Sequence, residues 1–173
     1  MDDVMTITFL GTGTSQGIPV IGSNHPVCLS QDPKDKRLRV SVLVSWKDYH
    51  YVIDCGPDFR QQMLANPINR LDGIFFTHEH SDHTAGIDDI RPFFFRQGDI
   101  PIYAHERVIT SLQRRFDYIF ADEDRYPGAP AVQVIQVYKD TPIQLEDMEI
   151  IPIEAYHNRL QVFGYRFKDF VYL

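Results

Sequence analysis

The stretch Thr77-His78-Glu79-His80-Ser81-Asp82-His83 packs three imidazoles and two carboxylates into seven residues. Crowded together without a cation, such groups meet desolvation costs and need many partners. Neutral imidazole and carboxylate are standard ligands for zinc, iron and manganese, and a bound dication removes most of that difficulty. The spacing lets His78 and His80 converge on one cation, while Asp82 and His83 point towards a second. The zinc-protease pattern His-Glu-x-x-His is excluded, because its histidines lie four apart on one helix face. Here only Glu79 separates His78 from His80, so Glu79 is expected to face away as a structural residue.

The elements on either side must hold this loop. Ile74-Phe75-Phe76 is an apolar run and reads as a buried strand. Residues 84–90 read as the first turns of a helix, so the ligand-type residues lie at a strand's C-terminal end, where loops commonly carry function. Upstream, residues 5–10 alternate as an opening strand and run into Gly11-Thr12-Gly13-Thr14-Ser15-Gln16-Gly17. That donor-rich loop is able to approach a phosphate or the metal site closely. It is not a P-loop, since no Gly-Lys-Ser/Thr follows, nor a dinucleotide fingerprint. Residues 40–46 and 50–54 read as two strands around a polar turn, and Asp54-Cys55-Gly56-Pro57-Asp58 leads into a helix over 59–65.

Downstream, Arg91-Pro92 is expected to break the helix, with Phe93-Phe94-Phe95 in the core. Residues 100–104 read as a strand. An amphipathic helix within 105–120 carries Val108, Ile109, Leu112 and Phe116 on one face, with His105 at its start. Residues 132–137, 143–145 and 148–154 read as strands of a second sheet, and 169–173 as a final strand.

With 173 residues, 43% hydrophobic and 24% charged, the chain suits one domain over residues 1–173 with a sizeable core. A net charge of −7 argues against a nonspecific nucleic-acid binder, which needs a basic face. It leaves room for a small phosphate substrate, because bound cations reverse the local charge. No apolar run is long enough to span a membrane, and Met1 opens no secretory pattern. Cys28 and Cys55 make no disulfide framework. A cytoplasmic protein is expected.

The spacing His-x-His-x-Asp-His resembles the signature of the metallo-β-lactamase superfamily of hydrolases. A strand entering Gly-Thr-Gly near the N-terminus resembles its phosphodiesterase branch. The segment Ser23-Asn24-His25-Pro26-Val27-Cys28 resembles the phosphoribosyl cyclic phosphodiesterases of phosphonate degradation. That group carries Cys-x-Cys-x-x-Cys there and holds a structural zinc; this chain has Ser23, His25 and Cys28, so only two ligands remain and no tightly held zinc is expected. Arg37 and Arg39 are candidates to steer a phosphate.

The resemblance implies an α/β fold of the αββα sandwich type, two sheets face to face with helices outside, lacking its C-terminal part. It implies two divalent metals, zinc or manganese or iron, with His78, His80 and His157 holding one and Asp82 and His83 the other. Asp82 and His83 are then also the candidate catalytic residues, through that second metal. It casts Asp54 as a brace for the histidine loop rather than a ligand. The implied reaction is hydrolysis of a small, cyclic phosphate ester by water activated between the metals. The same fold also hosts transfer-RNA 3′-processing nucleases and thioester or lactam hydrolases, and a silent metal-binding module is the reading of another class. In the family a strand like 170–173 is followed by a bridging aspartate and a further histidine. Neither is in this chain, so weak turnover, and association through the strand edge near Leu173 into a homo-oligomer, are expected.

Overall fold

A computed structural model describes residues 4–121, 123, 125–146 and 148–173. In chain order the elements are β1 (Met5–Gly11), α1 (Pro26–Leu29), β2 (Ser41–Trp46), β3 (Tyr49–Ile53), α2 (Phe59–Ala65), β4 (Gly73–Phe75), α3 (Ser81–Thr84), α4 (Arg91–Gln97), β5 (Ile100–Ala104), α5 (Glu106–Arg115), β6 (Val132–Gln136), β7 (Ile143–Leu145), β8 (Met148–His157), β9 (Leu160–Phe167) and β10 (Phe170–Tyr172). They form a six-stranded sheet in the order β1-β2-β3-β4-β5-β6 and a four-stranded sheet in the order β10-β9-β8-β7.

The first three strands pair antiparallel through short connections. From β3 to β6 the pairing is parallel, and each step is a helical crossover through α2, α4 or α5, as parallel neighbours require. The second sheet is antiparallel throughout.

Side-chain alternation explains the layering. On β2, Val42, Val44 and Trp46 face the second sheet, where Leu145, Met148, Ile150, Phe163, Tyr165 and Phe167 meet them. Leu43 faces the other way, with Val52, Ile74 and Ile102, and there Phe59 of α2, Phe93 of α4 and Val108 and Leu112 of α5 complete the second core. The layers are therefore helices, sheet, sheet. No helix among the described residues is long and apolar enough to cross a membrane.

Four expectations need correction. A strand over 132–137 is expected in the second sheet, but β6 (Val132–Gln136) pairs parallel with β5, from Ile100 opposite Val132 to Ala104 opposite Gln136. The crossover through α5 returns the chain beside the strand it left, and nothing in the strand's own residues says which sheet it joins. Pro92 does not end a helix but opens one. It lies in the first turn of α4, where its missing N–H has no intrahelical partner to lose. The expected helix over 84–90 is instead the short α3 followed by a 3-10 turn at Ile87–Ile90. Of the three phenylalanines Phe93 is buried, while Phe95 is 63% exposed.

Candidate metal centre

The C-terminal ends of β3 and β4 lie side by side, Ile53 opposite Phe75, which brings Asp54 against the turn that begins at Thr77. Ligand crevices in open α/β sheets lie outside such strand ends. Asp54 has no exposed surface and a left-handed backbone, φ 63°. Its Oδ1 accepts from the Thr77 N–H at 2.8 Å, and its Oδ2 accepts from the Thr77 hydroxyl at 2.8 Å and from His83 Nδ1 at 2.7 Å. A buried carboxylate with this many donors is fully satisfied.

Those bonds fix the protons of the neighbouring rings. The Thr77 hydroxyl gives its hydrogen to Asp54, so toward His78 Nδ1, 2.9 Å away, it must accept. His78 therefore carries its proton on Nδ1 and presents a lone pair on Nε2. His83 donates from Nδ1 to Asp54, so its neutral form likewise presents a lone pair on Nε2, 3.4 Å from Asp82 Oδ2. Two electron-rich atoms facing each other at that distance need a proton or a cation between them.

His78 Nε2 lies 3.2 Å from His80 Nδ1. Two nitrogens bound tetrahedrally to one zinc are about 3.3 Å apart. The His157 ring, from the end of β8, is centred 6.2 Å from both His78 and His80. The His83 ring is centred 4.0 Å from that of His78. Among the described residues no three donors close into a finished cage. The set is an open cluster in which one pair already has ligand spacing and His157 approaches from the opposite sheet. Ligand types, lone-pair directions and spacing all fit a divalent cation. Burial, and the neighbouring charge of a protonated His83, hold His78 down to about 4, which keeps it in the neutral form a ligand must have. Burial pushes His83 down too, but the Asp54 hydrogen bond and the charges of Asp54 and Asp82 outweigh it and raise its pKa.

The loop is braced from behind. The Glu79 carboxylate turns away from the cluster to Arg107 Nε, 3.0 Å away. The Thr84 hydroxyl donates to the His80 carbonyl at 2.8 Å, and Arg115 donates to the Thr84 oxygen at 2.9 Å. Main-chain bonds run from Cys55 N–H to His83 O and from Gly86 N–H to Cys55 O. The approach is so close that a Cβ on Gly56 would sit 2.0 Å from the Asp82 carbonyl oxygen, and one on Gly86 2.0 Å from that of Gly56. Only glycine fits at either position.

The cluster opens into a cavity of about 640 Å³, lined also by Thr14 and Ser15 of the glycine loop and by Val40, Val162, Phe163 and Tyr172. Other candidates are used elsewhere. Arg39 pairs with Asp58 at 2.9 Å and donates to the Ser15 carbonyl at 2.8 Å. Arg37 donates to the Thr12 hydroxyl at 3.1 Å. Both fasten the glycine loop. His25 accepts from Val27 N–H as the cap of α1, and Cys28 Sγ accepts from Val20 N–H. His105 caps α5, as expected of a helix-start residue. The sequence reading passed over Thr77 and Arg115. For Thr77 a signal existed, a hydroxyl directly before the first histidine of the cluster; for Arg115 none did.

A family model described as the beta-lactamase superfamily domain matches residues 49–173. The chain is 38% identical over 170 residues to an octanoyltransferase of Porphyromonas gingivalis, covering 98% of this chain but 34% of that protein. A ribonuclease Z of Methanocaldococcus jannaschii is 26% identical over 178 residues, covering 96% of this chain and 48% of that one. Among solved structures, a diphosphatase from the PhnP family superposes with a TM-score of 0.88 at 38% identity, over 98% of this chain and 65% of that chain. Zinc-bound PqqB from Methylobacterium extorquens shares the fold at a TM-score of 0.75 and 18% identity, over 97% and 61%. The chain thus spans about a third to a half of these curated relatives and less than two thirds of these solved chains. With a family model matched over most of its length and two sheets that superpose on solved members, this chain belongs to the metallo-β-lactamase superfamily.

Proposed function

We propose that this chain is a metal-dependent hydrolase whose substrate is a small phosphate ester, a cyclic phosphodiester foremost. In this reading His78, His80 and His157 hold one divalent cation, and Asp82 and His83 contribute to a second. Zinc, manganese and iron all suit this nitrogen and oxygen set. When bound, such cations supply a water that loses its proton near neutral pH, and positive charge for the phosphoryl oxygens. The protein's own part is orientation. Asp54 holds His83 directly, and holds His78 through Thr77, each with a lone pair toward the cavity. Thr14 and Ser15 line the same space and carry hydroxyls that suit phosphate oxygens, and Phe163 and Tyr172 give it an apolar part.

The observation that carries the reading is the 3.2 Å spacing of His78 Nε2 and His80 Nδ1, with His78 Nδ1 already engaged by Thr77. The phosphate class is supported by the diphosphatase at 38% identity. A net charge of −7 disfavours a polyanionic substrate such as RNA, and the cavity suits a small one.

The test combines metal analysis with turnover. Protein prepared without chelator should hold about one transition metal per chain or more, and His78→Ala with His80→Ala should remove it. Metal-dependent turnover of bis(p-nitrophenyl) phosphate or a cyclic nucleotide should exceed that of a thioester or a lactam. It should also be slow, because Asp82 and His83 alone among the described residues face the second cation. Unchanged metal content in the double variant, or turnover confined to the thioester, would sink the proposal.

A further inference from the structure

We infer that Arg107 is a positioning residue for the metal centre, tying the β8–β9 hairpin, and with it His157, to the loop that carries His78 and His80. The inference rests on the proposed role of His157 as a ligand.

His157 is the one proposed ligand on the four-stranded sheet. It stands at the end of β8 beside the two-residue turn Asn158-Arg159, is exposed, and its ring makes no hydrogen bond among the described residues. Its place is therefore set by where the hairpin lies. Beside aromatic packing, three hydrogen bonds among the described residues join that hairpin to the six-stranded sheet and its helices. The Tyr165 hydroxyl donates to the Phe76 carbonyl at 2.7 Å, and the Phe163 N–H donates to the Thr77 carbonyl at 2.9 Å. Nearer the tip, Arg107 Nη2 donates to the Gln161 carbonyl. Gln161 is opposite Tyr156 in the ladder, one step from the pair His157 and Leu160. Of the three contacts, the one from Arg107 lies closest to the ligand.

The other end of the same guanidinium is beside Glu79, with Nε 3.0 Å from Oε1. Glu79 sits between His78 and His80. One planar group thus touches the loop of two proposed ligands and the hairpin of the third. The Nε contact is an ion pair and not an aligned hydrogen bond, so the guanidinium joins the two segments by charge on one side and a directed N–H on the other, across the fixed span of its plane. Its own base is firm. Arg107 is in the first turn of α5, its N–H donates to His105 Nδ1, and the His105 ring stacks on Phe163 at 5.1 Å. The Arg107 and Glu79 side chains keep 38% and 21% of their exposure, so the ion pair itself adds little to stability. Its consequence is expected in ligand geometry.

The experiment is a zinc titration of the full chain against a chromophoric chelator, in a double-mutant cycle with His157. Arg107→Ala should weaken zinc binding about tenfold or more, the usual cost of losing a group that orients a ligand. In a His157→Ala background the same change should alter affinity by no more than about twofold, the limit for independent sites. Arg107→Lys, which keeps the charge beside Glu79 but not the fork, should lose most of the same factor, and it serves as the test if circular dichroism shows the alanine variant unfolded. An equal loss in both backgrounds, or full rescue by lysine, would overturn the inference. A parent chain that binds zinc no better than its His78→Ala/His80→Ala variant would overturn the metal reading beneath it, and the two failures are told apart by that control.

Discussion

A carboxylate with no exposed surface is costly unless donors surround it, and Asp54 meets that condition through Thr77 and His83. Replacing it with asparagine tests the arrangement cleanly, because asparagine tolerates the left-handed backbone at φ 63°. In either orientation the amide would turn its NH2 toward a present donor: the Thr77 N–H if it replaces Oδ1, or the Thr77 hydroxyl and His83 Nδ1 together if it replaces Oδ2. Zinc affinity should fall about 10- to 100-fold, and stability to urea by about 1–3 kcal/mol. An Asp54→Asn protein unchanged in both would mean that the bonds do not hold the rings. A second residue-scale prediction concerns the α1 loop. With His25 engaged by Val27 N–H and Cys28 by Val20 N–H, Cys28→Ser should leave zinc stoichiometry as it is; loss of one zinc per chain would show a structural site there. The histidines and Asp54 were legible because their types cluster, or stand at strand ends, in ways packing does not demand. The arginines were not. Whether Arg39 meets a phosphate or Asp58 depends on a partner nineteen residues away, and residue type alone is silent on that.

Between elements, the decisive feature is how closely two turns approach. The turn after β3 and the start of α3 touch through backbone, leaving Gly56 no room for a side chain. Gly56→Ala would push the Asp82 carbonyl away and with it the ring of His83, whose own carbonyl accepts from Cys55 N–H. Destabilisation of about 1–3 kcal/mol is expected, as for other overpacked sites, together with weaker zinc binding. Thermal unfolding and chelator competition on the same variant would check both, and a neutral substitution would mean that the turns lie farther apart. Most strands and α2 were readable from apolar runs and turn residues. The error at Pro92 arose because proline both ends and starts helices, and only the preceding 3-10 turn at Ile87–Ile90 decides which. The error at β6 arose because sheet membership is a property of the crossover, not of the strand.

At the scale of the molecule, the proposed ligands come from both sheets, and the sequence distance between them has an energetic consequence. Phe75, at the end of the strand that leads into the histidine loop, stacks on Tyr103 at 4.3 Å and meets Tyr165 and Phe167 of the second sheet edge-on at 4.9 and 5.2 Å. Packing of this kind holds the sheets together without metal. A cation held by His78, His80 and His157 would add a second tie at the open end of the sandwich. Anything that binds only the native state stabilises it by mass action, by about 2.7 kcal/mol at free ligand one hundred times Kd. Binding to the unfolded chain reduces that gain. His78 and His80 are two residues apart, so they can share a cation even when the chain is unfolded; His157 joins them only when the two sheets meet. The zinc-dependent part of stability should therefore depend on His157 more steeply than zinc binding itself does. Urea unfolding of the parent chain should shift to higher denaturant when saturating zinc replaces chelator. His157→Ala should still take up zinc, more weakly, yet show almost no shift even at zinc concentrations that fill its site. If His157→Ala keeps the full shift when its site is filled, the cation does not bridge the sheets, and the ligand set lies within the histidine loop alone.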